Sequence, residues 1–390
     1  MKFNINSKAL LNALLHTRCV MLRNETGILP YANNYKIEVN ENELKVTGTN
    51  GTMYISETIP LPEPPREGVT SDNTIVVHAN FILKPLKTMG EQPLEIEFGN
   101  YQMTVNHEQG YFRVPYADCG YPSPYPIDKA EAVHVQMETP GLYSQLSKVA
   151  FATADDEMRP VMCGVYVEVE ASAVNFTASD GHILMHLASK TEATYSKTGS
   201  FIMPRKVADR LLKLLPKTGL CDMYFNDKIT VMEIEGGLTI VFRNIEGRYP
   251  NYESVLPTSC NTTFIVDRKQ LLNTLNRQLI FSYTSTHAVK IKGIADGTQS
   301  RLTLVTKDFD EDCLSQESIS CEFTKGPLHF DKGLLLKIPF LTSILSKLTS
   351  ERIVFNIVNE ISAVTLTPEL AFAHEDVLGL IMPMTDIDEE

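Results

Sequence analysis

A threefold internal repeat constrains this chain more than any other feature, because a repeated plan fixes both the fold class and the number of folding units. Three segments open on an apolar or alternating stretch, pass through an amphipathic helix and continue into two alternating strands joined by a polar turn. They are MKFNINSKALLNALLHTRCV with YKIEVNENELKVTGT, VQMETPGLYSQLSKVAFAT with VYVEVEASAVNFTAS, and FIVDRKQLLNTLNRQLIFS with VKIKGIADGTQSRLTLVT. Phe3, Val135 and Phe264 begin the three copies, spaced by 132 and 129 residues in a chain of 390. A second strand-into-helix element recurs inside each copy: TIVVHANFILKPLKTM, GSFIMPRKVADRLLKLL and PLHFDKGLLLKIPFLTSIL. Each third is therefore expected to hold two helices and about eight short strands, an α+β architecture used three times. Proline-rich stretches around Pro122, Pro124 and Pro126, and again at Pro250 and Pro257, mark the joints. The expected domains are residues 1–125, 126–257 and 258–390.

The apolar spacing places six helices at 7–19, 79–89, 139–151, 203–217, 266–281 and 330–347, with Ser7, Thr139 and Asp267 as candidate caps. Charge is divided unevenly between them and the remainder. The chain carries 35 Lys and Arg against 48 Asp and Glu, a net −13 that would ordinarily argue against a nucleic-acid partner. Yet the six helices hold sixteen basic residues and three acids, Asp209, Asp267 and Asp331, where random placement gives about 8 and about 11. They sum to +13 and the rest of the chain to −26. In projection Lys206, Arg210, Lys213 and Lys217 share a sector of about 60° opposite Val207, Leu211 and Leu214. Helices of this kind around a common centre make a positive lining within a negative body, a surface that tracks phosphates without reading bases.

Other classes find little support. The start, MKFNINSK, lacks the apolar core of a secretory signal, and no apolar run approaches the length of a membrane span. Seven scattered cysteines without a C-x-x-C pair indicate neither a disulfide frame nor a zinc site, and a reduced cytoplasmic location is expected. Asp180 and His182 could form half of an acid–base pair, but no nucleophile elbow, Walker loop, zinc-protease or dinucleotide motif accompanies them. Asp180-Gly181-His182 reads better as turn chemistry, with Gly181 supplying the unusual φ. A non-catalytic repeat scaffold whose basic helices hold an acidic protein is the alternative reading.

The segments EMRPVMCGVYVE, TASDGHILMH, EGRYPNYESVLP and LIMPM, in that order, carry a resemblance to the bacterial sliding clamps, the β subunits of DNA polymerase III, along essentially the whole chain. The resemblance implies a non-catalytic protein without cofactor or metal: two chains head to tail in a closed ring, inner helices around double-stranded DNA of any sequence, and outer antiparallel sheets. It implies as partners the polymerase III α subunit, an ATP-dependent clamp loader, other polymerases and repair proteins, which dock short apolar motifs in a pocket between the second and third domains. Carried over, the pocket wall comprises Met162, Ser179, Gly181, His182, Leu184 and Pro250, together with Val255, Ala363, Leu380, Met382, Pro383 and Met384. Methionine's soft, adaptable side chain suits a surface that serves many partners.

DNA contacts are expected from Arg23, Lys84, Lys148, Arg205, Lys206, Arg210, Lys213, Lys217, Arg268 and Lys332, and the dimer seam from Tyr111 and Phe112 against Ile280 and Phe281. Four departures from the family pattern stand out. Ile183 follows Asp180-Gly181-His182 where relatives often have a basic residue, and Met384 is followed by Thr385 and an acidic DIDEE tail. Arg23 matches a basic loop residue with altered spacing to Leu29 and Pro30. The loop before Arg159 carries Asp155, Asp156 and Glu157, which would repel phosphate.

Overall fold

The computed structural model describes residues 1–21, 29–66, 73–156, 158–171, 173–189, 194–296, 299–326, 333–370 and 375–385. The candidates Arg23, Glu157, Lys332 and the acidic tail lie outside them. The six helices are α1 (Ser7–Arg18), α2 (Ala79–Thr88), α3 (Thr139–Val149), α4 (Arg205–Leu214), α5 (Arg268–Ile280) and α6 (Ile338–Lys347). Around them the described residues of each copy place eight principal strands, so two helices and eight strands recur three times, as the spacing implied.

Local chemistry sets the helix limits. Asn6, one residue before the expected Ser7, is the cap of α1: its Oδ1 accepts from Lys8 N at 2.8 Å and Ala9 N at 3.3 Å. The Ser7 hydroxyl is used elsewhere, donating to Gly90 O and accepting from Gln92 N. Asp267 does cap α5, accepting from Gln270 N at 2.7 Å. Thr139 is the first residue of α3, and its hydroxyl donates to Gly219 O. Three helices begin later than expected, because Gly199–Pro204, Thr262–Asp267 and Leu334–Lys337 are strands that run up to their first residues. Pro339 is the second residue of α6, where its missing N–H costs nothing because the first-turn N–H groups have no partner within the helix. Pro216 stops α4, which leaves Lys217 beyond the helix and out of the expected row of four cations.

Two compact units organise the chain: 1–140 with 194–197 and 209–244, and 141–193 with 198–208 and 245–390. They divide the middle copy, because its outer strands pair with those of its neighbours in sequence. In the first unit, nine antiparallel strands include Leu238–Arg243 beside Met53–Pro60, with Val241 opposite Tyr54. A separate four-stranded sheet runs Lys2–Asn6, Pro93–Phe98, Gln102–His107 and Gly110–Pro115, leaving the last at its edge. Helices α1 and α2 pack together here, burying Leu10, Leu14, Ile82 and Leu86.

The second unit contains twelve antiparallel strands. Its middle joins Ile183–Ser189 to Glu375–Ile381, with Leu184 opposite Leu380 and His186 opposite Leu378. Helices α5 and α6 pack together in this unit, and α6 lies so close to Gly379 that a Cβ there would sit 2.6 Å from Ile344 Cγ2. None of the described helices is long and apolar enough to cross a membrane.

Candidate functional site

The turn between Val174–Ser179 and Ile183–Ser189 positions one end of the candidate pocket. Asp180 Oδ1 accepts from the backbone N of both His182 and Ile183 at 2.8 Å, and Ser179 Oγ donates to Ile183 O at 2.8 Å. Gly181 has φ +92°, and a Cβ on it would meet Arg159 Nη1 at 3.2 Å. Asp180 is thus occupied in holding the turn, and the His182 ring stacks on Phe340 with centroids 5.7 Å apart. The chain returns alongside: Met382 N donates to His182 O at 2.9 Å and Met384 N to Leu335 O at 2.9 Å. These bonds pin the Met-Pro-Met segment while leaving the Met382 side chain 37% exposed.

Leu184, Ala363 and Leu380 form one apolar cluster with Ile202, Tyr249 and Tyr252, and Val161, Tyr166, Ile245, Leu256 and Leu378 pack against it. Buried Met162 ends the short helix Pro160–Met162, near the Gly181 turn. Pro250, Val255 and His182 are exposed, with Val255 at 50%. The expected set therefore separates into a buried floor of Met162, Leu184, Ala363 and Leu380 and an exposed rim of His182, Pro250, Val255 and Met382. Ser179, Pro383 and Met384 are half-buried. The sequence reading missed the aromatic wall: Tyr166 stacks on Tyr249 at 4.9 Å and 6°, and Tyr252 stacks on His186 at 5.2 Å. Tyr249 and Tyr252 sit in the quoted GRYPNYESVLP segment, so that signal was available. Burial raises the phenol pKa of both, that of Tyr252 to about 12.

On the other side of the turn, a cleft of about 600 Å³ is lined by Arg159, Asp180, Ile183, Arg205, Phe340 and neighbouring residues. Ile183 is buried in the sheet, so its apolar character serves packing. Lys337 lies over the Phe340 ring, 4.9 Å from its centroid. The two described loop carboxylates face cations and are not left to repel phosphate alone. Asp155 pairs with Arg205 at 2.5 Å, and Asp156 pairs with Arg159 at 3.2 Å while accepting from Met158 N.

The cations expected at DNA occupy different settings. Lys84, Lys206, Lys213 and Lys217 are exposed and Arg210 half-buried. Lys148 is a correction: its side chain is 10% exposed and ion-paired with Glu375, so the charge is turned into the protein. Arg268 donates from Nε to Ser350 O, just past α6, and from Nη1 to Leu345 O in the last turn of α6. Arg205 is shared with Asp155. The observed helices carry thirteen basic residues and one acid, Asp209, so the segregation survives the shorter helix limits.

At the expected seam, Tyr111 is 60% exposed on the edge strand Gly110–Pro115, with Arg113 over its ring, and Phe112 is half-buried. In the other unit, Ile280 ends α5 at 77% exposure and Phe281 follows at 39%. All but Phe112 are exposed, and none is core. Among the described residues, no group of three or more His, Cys, Asp or Glu is placed to hold a metal ion.

Residues 1–120 match the family described as DNA polymerase III beta subunit, N-terminal domain, and residues 136–251 match DNA polymerase III beta subunit, central domain. The chain is similar to the beta sliding clamp of Halalkalibacterium halodurans, 27% identical over 69% of this chain and 72% of that protein. It is also similar to that of Streptococcus pneumoniae, 23% identical over 98% of both. Its fold matches the crystal structure of the DNA polymerase III subunit beta from Pseudomonas aeruginosa with a TM-score of 0.87 at 20% identity, covering 99% of this chain and 100% of that one.

Proposed function

The chain belongs to the DNA polymerase III beta subunit family, and on that premise we propose that it is a DNA sliding clamp. Two copies close head to tail around duplex DNA, and the clamp tethers the replicative polymerase while performing no chemistry itself. Domains 1–125, 126–257 and 258–390 supply two inner helices each. The observation that carries this reading is the sorting of charge: thirteen basic residues and one acid on the six repeated helices of a chain whose net charge is −13.

A lining of exposed lysines attracts phosphates through screened, sequence-independent contacts that exchange easily, while an acidic exterior discourages DNA from binding outside. Lys84, Lys206, Arg210 and Lys213 are the helix cations best placed for this role, with Lys217 exposed just past the end of α4. Arg23 and Lys332 are kept from the sequence alone, Arg205 and Arg268 act through their unshared N–H groups, and Lys148 is omitted. The floor and rim around Leu184, Leu380 and Met382 accept short apolar segments of the polymerase α subunit, the clamp loader, other polymerases and repair proteins.

The test is topological. Clamp loaded by its ATP-driven loader should remain on a closed DNA circle through gel filtration and be lost once one cut linearises the circle. Equal retention on both forms would mean ordinary adhesion and sink the ring reading.

A further inference from the structure

The sheet face that floors the apolar pocket continues past it into a cleft of different character. Successive side chains of a strand alternate between faces, so Leu184, His186 and Ala188 share one face, and strand register places their neighbours. The first row is Ser179, Leu184 and Leu380; the next is Tyr166, Thr177, His186 and Leu378; the third is Glu168, Asn175, Ala188 and Asp376. From the aromatic row onward, a cleft of about 620 Å³ is lined by Glu170, Asn175, His186, Tyr252, Glu253 and apolar neighbours. Tyr252 and Leu256 belong both to this lining and to the pocket's apolar cluster, so the two sites share a wall.

Three observations show that the cleft is acidic and short of a donor. Its lining contains Glu170 and Glu253 and no Lys or Arg, and neither glutamate has an ion-pair partner among the described residues. Arg248, whose charge acts on the Tyr166 phenol, is absent from the cleft lining. Asn175 is only 6% exposed, and its Oδ1 is a buried acceptor without a hydrogen-bond partner. A buried, unsatisfied acceptor is costly and calls for a donor. The charges also act on their surroundings: burial raises the pKa of Glu168, and the charges of Glu170 and Glu253 push it the same way.

We propose that this cleft receives a lysine or arginine side chain carried on the same partner segment whose apolar residues fill the neighbouring pocket. A guanidinium or ammonium brings several N–H donors and no acceptor, matching an orphan amide oxygen beside two carboxylates. Leu184 and Ala188 are four residues apart on one strand, roughly 13 Å. An extended peptide covers that span in about four residues. The basic residue therefore stands about four positions from the apolar anchor over Leu184 and Leu380. The inference rests on the pocket being a peptide site, and it adds a charge requirement to partners otherwise defined by apolar residues.

The probe is a synthetic peptide with the apolar core Leu-Ala-Leu-Phe, extended at either end by three alanines and then Lys-Lys, Ala-Ala or Glu-Glu. Affinities are read by fluorescence anisotropy at about 50 mM salt, where screening is modest. With the extension on one end, the order should be Lys-Lys, Ala-Ala, Glu-Glu, with about fivefold between the first two, as for a partly exposed charge pair. In the paired Glu170→Gln and Glu253→Gln variant, the Lys-Lys advantage should vanish while the Ala-Ala peptide binds as before. Equal binding of Lys-Lys and Ala-Ala peptides at both ends, or an advantage that survives the double variant, overturns the proposal. Failure of the Ala-Ala peptide itself to bind overturns the pocket reading and the proposal with it.

Discussion

His16 and His186 show how one side chain type enters opposite electrostatic settings. His16 Nδ1 lies 2.7 Å from Glu57 Oε2, and this hydrogen bond and charge raise its pKa above the ordinary 6.5 despite partial burial. His186 sits in the sheet under Tyr252, where burial lowers its pKa although Glu253, Glu170 and Asp376 pull the other way. By linkage, the His16 pair adds stability that is fully present below pH 6.5 and is lost as pH rises through the elevated folded value. The sign reverses for His186: the folded state resists the proton, so stability is lost as pH falls below 6.5. Melting temperatures should show both effects. His16→Gln should destabilise more at pH 6 than at pH 8, and His186→Gln should blunt the wild-type loss between pH 7 and pH 5.5. Differences from wild type that stay constant with pH in both variants would refute the assignments. Neither setting was legible in the sequence, because Glu57 is 41 residues from His16 and the acids near His186 come from three separate segments. The Asp180-Gly181-His182 turn was legible, since its hydrogen bonds close within four residues.

At the scale of elements, periodicity and charge identified all six helices, and proline placement decided where two of them begin or end. The sequence could not distinguish cations that face outward from those recruited for packing. Lys148 and Lys213 look alike in an amphipathic projection, yet one is buried against Glu375 in a strand more than two hundred residues away and the other is exposed. That difference is testable. Reversing Lys206 and Lys213 to Glu should weaken DNA binding and lower the steepness of its salt dependence by roughly one unit for each lost phosphate contact. Peptide affinity should stay unchanged, because neither residue touches the apolar cluster. Lys148→Ala should leave the salt slope as it is and lower the melting temperature, since it strands the partly buried Glu375 carboxylate. An unaltered slope in the double reversal would remove α4 from the DNA surface.

For the whole molecule, the repeat that multiplies a domain also multiplies its open edges. Within each unit, neighbouring copies cover one another's outer strands, as Val241 with Tyr54 and His186 with Leu378 show. The strand Gly110–Pro115 remains at the rim of its sheet, with Tyr111 60% exposed, and Ile280 stands 77% exposed at the end of α5. Exposed edge strands bearing aromatic side chains invite pairing with another chain unless something covers them. In the proposed ring a second copy covers both, Tyr111 and Phe112 of one chain meeting Ile280 and Phe281 of the other. Light scattering at micromolar concentration should then give twice the chain mass of 43.6 kDa. Tyr111→Glu combined with Ile280→Glu places four carboxylates in the two seams and should return the mass to that of one chain. This variant should lose retention on closed circular DNA, because an open chain cannot encircle, yet bind the apolar peptide as wild type does, because Leu184, Leu380 and Met382 are untouched. A doubled mass that survives both reversals would place the seam elsewhere on the molecule.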